Sequence, residues 1–109
     1  VSVVGEASGH VLFKNDGETQ GLGRIKVNFY REDESLAATT MTESDGFFSY
    51  MGLVPGDYTV RIDPGQLRTL GLESKPAGIP VNIRVSNDGE VVDNLRFILE
   101  RVSGSAVLF

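Results

Sequence analysis

The sequence predicts an all-β domain, a seven-stranded antiparallel Greek-key β-sandwich. Three observations predict it. Apolar residues alternate with polar ones in short runs, the period of a strand with one buried face. Turn signals separate these runs at intervals of roughly 8–12 residues, the spacing of a sandwich. Thirteen Gly and four Pro in 109 residues suit many turns between short strands.

The elements follow in order. Residues 1–8 read as an N-terminal edge strand or linker, with Val1–Val4 apolar and Gly5–Gly9 a loop. His10–Phe13 is a short strand, with Val11 and Phe13 on one face. Asn15–Gly23 is a polar, Gly-rich loop. Arg24–Tyr30 alternates cleanly, with Ile25, Val27 and Phe29 inward and Lys26, Asn28 and Tyr30 outward. Arg31–Ser35 is a charged turn, and Leu36–Thr42 a weaker run suited to a sheet edge.

The stretch Thr42–Ile62 organises the chain. Asp45-Gly46 is a turn signal, because Gly takes positive φ freely and Asp bonds its own backbone. Phe47–Tyr50 follows as an aromatic β run, Pro55-Gly56 reverses the chain, and Tyr58, Val60 and Ile62 share the next buried face. Gly56-Asp57-Tyr58 at a strand start reads as a tyrosine corner, with the phenol bonded back to the corner backbone, ahead of the alternative of a plain core tyrosine at the sandwich rim.

Asp63-Pro64 ends that strand, and Gln66–Leu72 holds one helical turn before a Gly71 stop. Lys75–Gly78 is a loop, and Ile79–Val85 alternates again. Ser86-Asn87-Asp88-Gly89 reads as a hairpin turn into Val91–Leu99, the last long strand. Residues 100–109 read as a C-terminal strand or a join to a parent protein, and residues 9–99 as the sandwich. The predicted core is Val11, Phe13, Ile25, Val27, Phe29, Phe48, Tyr50, Leu53, Tyr58, Val60, Ile62, Val81, Ile83, Leu95, Phe97 and Leu99.

Composition narrows the function. A net charge of −5 with scattered cations gives no footprint for nucleic acid or an anionic membrane. The absence of Cys excludes disulfides, thiolate metal sites and Cys nucleophiles. No apolar run approaches the twenty residues of a membrane-spanning helix. The first residue is Val1 and not Met, as in a mature or excised fragment. His10 is the single histidine, and no Gly-x-Ser-x-Gly elbow or phosphate-cradling Gly-x-x-x-x-Gly-Lys accompanies it. It reads as an exposed residue at a strand start. The acidic groups Glu32-Asp33-Glu34, Glu43/Asp45 and Asp88/Glu90/Asp93 read as solvated turns. Tyr30 and Phe47 face away from the core and are the candidate aromatics for a glycan or peptide platform.

Asp45-Gly46-Phe47-Phe48-Ser49-Tyr50, then Gly52-Leu53-Val54-Pro55-Gly56-Asp57-Tyr58-Thr59-Val60, resembles a pattern shared by B-type repeats of bacterial surface proteins. These are the SdrD-type and collagen-adhesin (Cna) B domains and the carboxypeptidase regulatory-like domains. Gly9–Phe13, Asn15-Asp16-Gly17 and Gly21–Val27 are similar to the same families' first strand, loop and second strand. The resemblance spans about residues 9–99 and implies a prealbumin-like, Ig-like sandwich. It implies a non-catalytic structural or spacer module of a larger bacterial protein, at the cell surface, outer membrane or periplasm. The partners implied are neighbouring domains of the parent chain. The alternative is a module that binds a glycan, peptide or protein subunit through loops at one end or an edge strand.

Two chemistries of these relatives are tested on this chain's own residues. Cna-type domains form a Lys–Asn isopeptide bond promoted by a buried acid four residues after the motif tyrosine. Here that position is Ile62, Lys14 falls on the polar side of its strand, and Asn94 is the one partner in reach of the pattern. SdrD-type domains hold Ca²⁺ in an Asp-x-Asn-x-Asp-Gly loop. Here the loop is the shortened Lys14-Asn15-Asp16-Gly17-Glu18, too poor in oxygen ligands for six- to eight-fold coordination. The sequence therefore predicts no catalytic residue, no metal site and no cofactor.

Overall fold

In the computed structural model, which describes residues 5–85 and 91–102, two sheets pack face to face. The strands are β1 (Gly5–Asn15), β2 (Glu18–Gly21), β3 (Lys26–Arg31), β4 (Leu36–Met41), β5 (Phe47–Leu53), β6 (Gly56–Ile62), β7 (Leu72–Lys75), β8 (Ile79–Ile83) and β9 (Val91–Arg101). A short helix, α1 (Pro64–Leu70), joins β6 to β7. One sheet runs β4-β3-β6-β8, entirely antiparallel. The other runs β2-β1-β9-β7, with β5 also paired to β1. β5 takes the first half of β1, from Gly5 to His10, and β2 takes the second, from Leu12 to Asn15.

The sandwich is as expected, but four details differ. The described residues form nine strands, because β2 and β7 are four-residue strands inside segments read as loop or helix end. The sheet is not wholly antiparallel, since β1 and β9 run parallel from Glu6↔Val91 to Phe13↔Leu99. Gly5–Gly9, read as a loop, is the first half of β1, and Ala7 within it is fully buried. Small residues there allow close approach rather than a turn: a Cβ on Gly9 would lie 2.0 Å from the Leu95 carbonyl oxygen. The expected hairpin between β8 and β9 also fails, because β8 pairs with β6 while β9 is flanked by β1 and β7. The turn residues Ser86–Gly89, like Val1–Val4 and Ala106–Phe109, lie outside the described residues.

Fourteen of the sixteen predicted core residues are buried, and Phe13 and Tyr50 are half-buried against them. Each fully buried Phe or Leu contributes about 2–3 kcal/mol of transfer free energy. Phe29, Phe48 and Phe97 are the largest such groups, and Phe48 on β5 and Phe97 on β9 meet over the intervening β1 at 6.4 Å between rings.

The helix is two turns long because both ends are capped. The Asp63 carboxylate accepts from the Gln66 amide, Pro64 supplies a preset φ at the start, and Gly71 closes the end at φ +70°. The Gln66 side chain then mimics a strand. Its Oε1 accepts from the Lys26 amide at 2.8 Å and its Nε2 donates to the Arg24 carbonyl at 2.9 Å. That pair satisfies backbone groups at the start of β3 and fixes α1 to one end of the sandwich.

Candidate functional site

Three side-chain clusters and the two points where the chain enters and leaves are the places where this fold presents chemistry. The turn after β5 is the first. The Tyr58 hydroxyl donates to the Val54 carbonyl, four residues upstream, as the tyrosine corner predicts. Burial of the ring pushes the Tyr58 phenol above its ordinary value. Beside it, Glu32, Asp57, Pro80 and Asn82 border a shallow hollow of about 330 Å³. Asn82 Nδ2 donates to Asp57 Oδ1 at 2.6 Å, so that carboxylate is already engaged.

The outer face of β3 is the second. Asn28 points outward yet is buried, because Tyr30, Thr39 and Asp63 close over it. Its Nδ2 donates to Tyr30 Oη at 2.9 Å and Asp63 Oδ1 at 3.0 Å, and its Oδ1 accepts from Thr39 Oγ1 at 3.0 Å. The bond from Asn28 holds the Asp63 carboxyl below the usual range. Tyr30 is not an open platform: the Arg61 guanidinium lies 5.2 Å from its ring centroid and bridges to Glu34 at 3.0 Å. Sequence reading placed Asn28 outward without seeing its role. Its one signal was an Asn inside a β-branched, aromatic run, where Asn is normally depleted.

His10 and Phe47 form the third, packed edge to face at 5.4 Å on the outer side of β1 and β5. His10 also borders an open depression with Leu12, Asn94 and Arg96. Among the described residues lining that depression none carries a carboxylate or hydroxyl to pair with the imidazole, and Ser–His–acid geometry needs both.

Apart from Glu34, which reaches Arg61, the acidic turn residues Asp33, Asp45 and Asp93 bond locally. Asp33 Oδ1 accepts from the amide and hydroxyl of Ser35, which lowers its pKa. Asp45 Oδ1 accepts from the Phe47 amide at 3.0 Å, and Asp93 Oδ1 from the Asn94 side chain at 3.0 Å. Asp88 and Glu90 lie outside the described residues. Asn15–Glu18 is a tight turn with Asp16 at φ +53° and Gly17 at φ +84°. The Asn15 amide oxygen there accepts from Arg101 at 3.0 Å. Among the described residues, no three acids or histidines converge. The isopeptide positions are also far apart. Asn94 precedes the Gly9↔Leu95 rung and Lys14 follows Phe13↔Leu99, about 20 Å along the strands. Ile62, where the promoting acid would stand, is buried among apolar residues.

The ends remain. Because β1 and β9 are parallel neighbours, the chain enters the sandwich at Gly5, level with the start of β9, and leaves at Arg101 at the opposite end. β9 alone separates the two by about 33 Å. We call these the inlet and outlet ends.

The family profile of the SdrD B-like domain matches residues 12–94. No curated protein matches the chain in sequence. Among solved structures, the fold is similar to the minor pilin GBS52 of Streptococcus agalactiae, with a TM-score of 0.68 at 18% identity, over 94% of this chain and 46% of that one. It is similar to the TIE protein of Bacillus anthracis, with a TM-score of 0.60 at 15% identity over 90% and 18%. It is also similar to the group B streptococcus pilus 2b backbone protein, with a TM-score of 0.57 at 13% identity over 92% and 42%. The chain spans less than half the length of each of these three.

Proposed function

The chain belongs to the SdrD B-like domain family, and from that premise we propose that it is a non-catalytic spacer module of a larger, extracellular bacterial surface protein. Its work is to hold the domain before it and the domain after it at a fixed separation and orientation. One observation carries this reading: the parallel β1·β9 pair puts chain inlet and chain outlet at opposite ends of one rigid sandwich. An enzyme needs a pocket with convergent reactive groups. The open hollow beside Tyr58 offers the Asp57 carboxylate, already engaged by Asn82, and the one beside His10 an imidazole packed edge to face against Phe47.

A folded reporter domain fused before Val1 and another after Phe109 tests the proposal. Small-angle scattering is expected to give a linear three-body particle, with the reporters on opposite sides. Reporters lying side by side would overturn it.

A further inference from the structure

The chain contains the dipeptide Asp-Gly three times, at 16–17, 45–46 and 88–89. In each, the glycine amide nitrogen follows a carboxyl group that it can attack, because Gly has no side chain to block the approach. Asp88-Gly89 lies outside the described residues. The fold gives the other two opposite surroundings.

Asp45-Gly46 is pinned. The Gly46 amide donates to the Glu43 carbonyl at 2.8 Å, and the Gly46 carbonyl accepts from the Val11 amide at 2.8 Å. Asp45 Oδ1 accepts from the Phe47 amide at 3.0 Å. The Asp45 carbonyl packs so closely on Gly21 that no Cβ would fit there, and Gly46 itself is buried. Asp16-Gly17 forms the tip of the β1–β2 hairpin. Both residues are exposed, at φ +53° and φ +84°, the positive pair of a type I′ turn. The space beside Gly17 is open for at least 4 Å where a Cβ would point. Among the described residues, none accepts from the Gly17 amide and none donates to the Asp16 carboxylate.

We propose that Asp16 is a site of spontaneous isomerisation to isoaspartate in the folded module, and that the fold protects Asp45 from the same chemistry. The Gly17 amide nitrogen attacks Asp16 Cγ and forms a new N–C bond. The amide proton and the carboxyl hydroxyl leave together as one water. Water then adds to the main-chain carbonyl carbon of the succinimide and breaks its bond to nitrogen, so the chain now runs through Cβ. One water leaves, one enters, and nothing is oxidised or reduced. Ring closure needs the Asp16 backbone to rotate, against only the Asn15↔Glu18 rung and the 3.0 Å bond from Arg101 to Asn15. At Asp45 the same rotation breaks the bonds to Glu43 and Val11, which is expected to slow closure about ten-fold or more. The product adds one backbone atom to a two-residue turn. The Asn15↔Glu18 rung and the Arg101 bond then lose their geometry, and β2 loosens, since it pairs with β1 alone and holds no buried residue. The site stands independently of the spacer reading.

The test ages the 109-residue chain in warm neutral buffer, folded in one sample and unfolded in concentrated urea in another. Trypsin puts the three dipeptides on separate peptides, 15–24, 32–61 and 85–96. Isoaspartate is read by methyl transfer from S-adenosylmethionine with an L-isoaspartyl methyltransferase. In the folded sample, peptide 15–24 is expected to take the label and peptide 32–61 about ten-fold less or lower. In urea the two are expected to take it alike. Gly17→Ala is expected to cut the label on 15–24 in both samples, because its methyl group hinders the attack. Amide spectra of the aged folded chain are expected to change at Glu18–Gly21 and to hold at Phe48 and Phe97. An unlabelled 15–24 in the folded sample, or equal labels on the two peptides there, would overturn the proposal. So would a difference that persists in urea, because sequence and not fold would then set it.

Discussion

Gly46→Ala set against Gly17→Ala separates close backbone packing from turn strain. Both glycines have left-handed backbones, at φ +86° and φ +84°. An Ala at either site pays about 1–2 kcal/mol for that conformation. A Cβ at Gly17 would meet nothing within 4 Å. A Cβ at Gly46 would stand 2.3 Å from the Val11 carbonyl oxygen and 3.0 Å from the Gly21 Cα. Val11 is where β1 changes partner, and its amide donates to the Gly46 carbonyl at 2.8 Å while its carbonyl accepts from Leu22 at 3.0 Å. Relieving the clash pulls these bonds apart, and each buried group left unsatisfied costs about 1–3 kcal/mol. G46A is therefore expected to lose about 3–6 kcal/mol and G17A about 1–2 kcal/mol, read from urea midpoints at constant slope. Equal losses would refute the claim that this crossing fixes the fold.

Thr42→Val is expected to cost about 2–4 kcal/mol, since the hydroxyl accepts from the buried Ile25 amide at 2.9 Å and donates to the Leu22 carbonyl at 2.7 Å. Urea unfolding measures it, and a loss below about 0.5 kcal/mol would contradict it. Tyr58→Phe is expected to cost about 1 kcal/mol through the lost bond to Val54. In the wild type, alkaline titration of the Tyr58 phenol should begin later than that of a free tyrosine. Its pKa is raised, so the contribution is full below the unfolded value and is lost as pH rises through the folded one. Asp63 runs the other way. Its pKa is depressed, so its contribution is present above the unfolded value near 3.9 and is lost as pH falls through the folded value. Asp63→Asn is expected to flatten stability between pH 5 and about 2, and an unchanged acid slope would contradict the role given to Asn28.

Much of the fold was legible because its signals are local. Alternation in Arg24–Tyr30, Tyr58–Ile62 and Leu95–Leu99 named the inner faces, and Asp45-Gly46 and Pro55-Gly56 named the reversals. The tyrosine corner was readable for the same reason, since hydroxyl and acceptor are four residues apart. What escaped was set by distant partners. Gly5–Gly9 looked like a loop, yet Gly9 is there to let Leu95 approach, 86 residues away, which no window along the chain reveals. The four-residue β7 owes its strand state to β9, and β8 and β9 look like a hairpin until their neighbours claim them. The parallel β1·β9 pair, on which the functional reading rests, joins the two ends of the sequence and has no local signature.

That pair also allows the most direct measurement. Force applied through the two ends loads the β1·β9 bonds in shear, all at once. Force applied through Cys introduced at Lys14 and at Arg101, both at the outlet end, peels the same strands apart one rung at a time. The native chain has no Cys, so attachment is specific. In single-molecule pulling, the unfolding force through the ends is expected to exceed that through Lys14 and Arg101. Pulling through the ends is expected to give one cooperative event, releasing about 300 Å of chain. An end-to-end force equal to or below the peeling force would contradict a spacer that holds its neighbours apart.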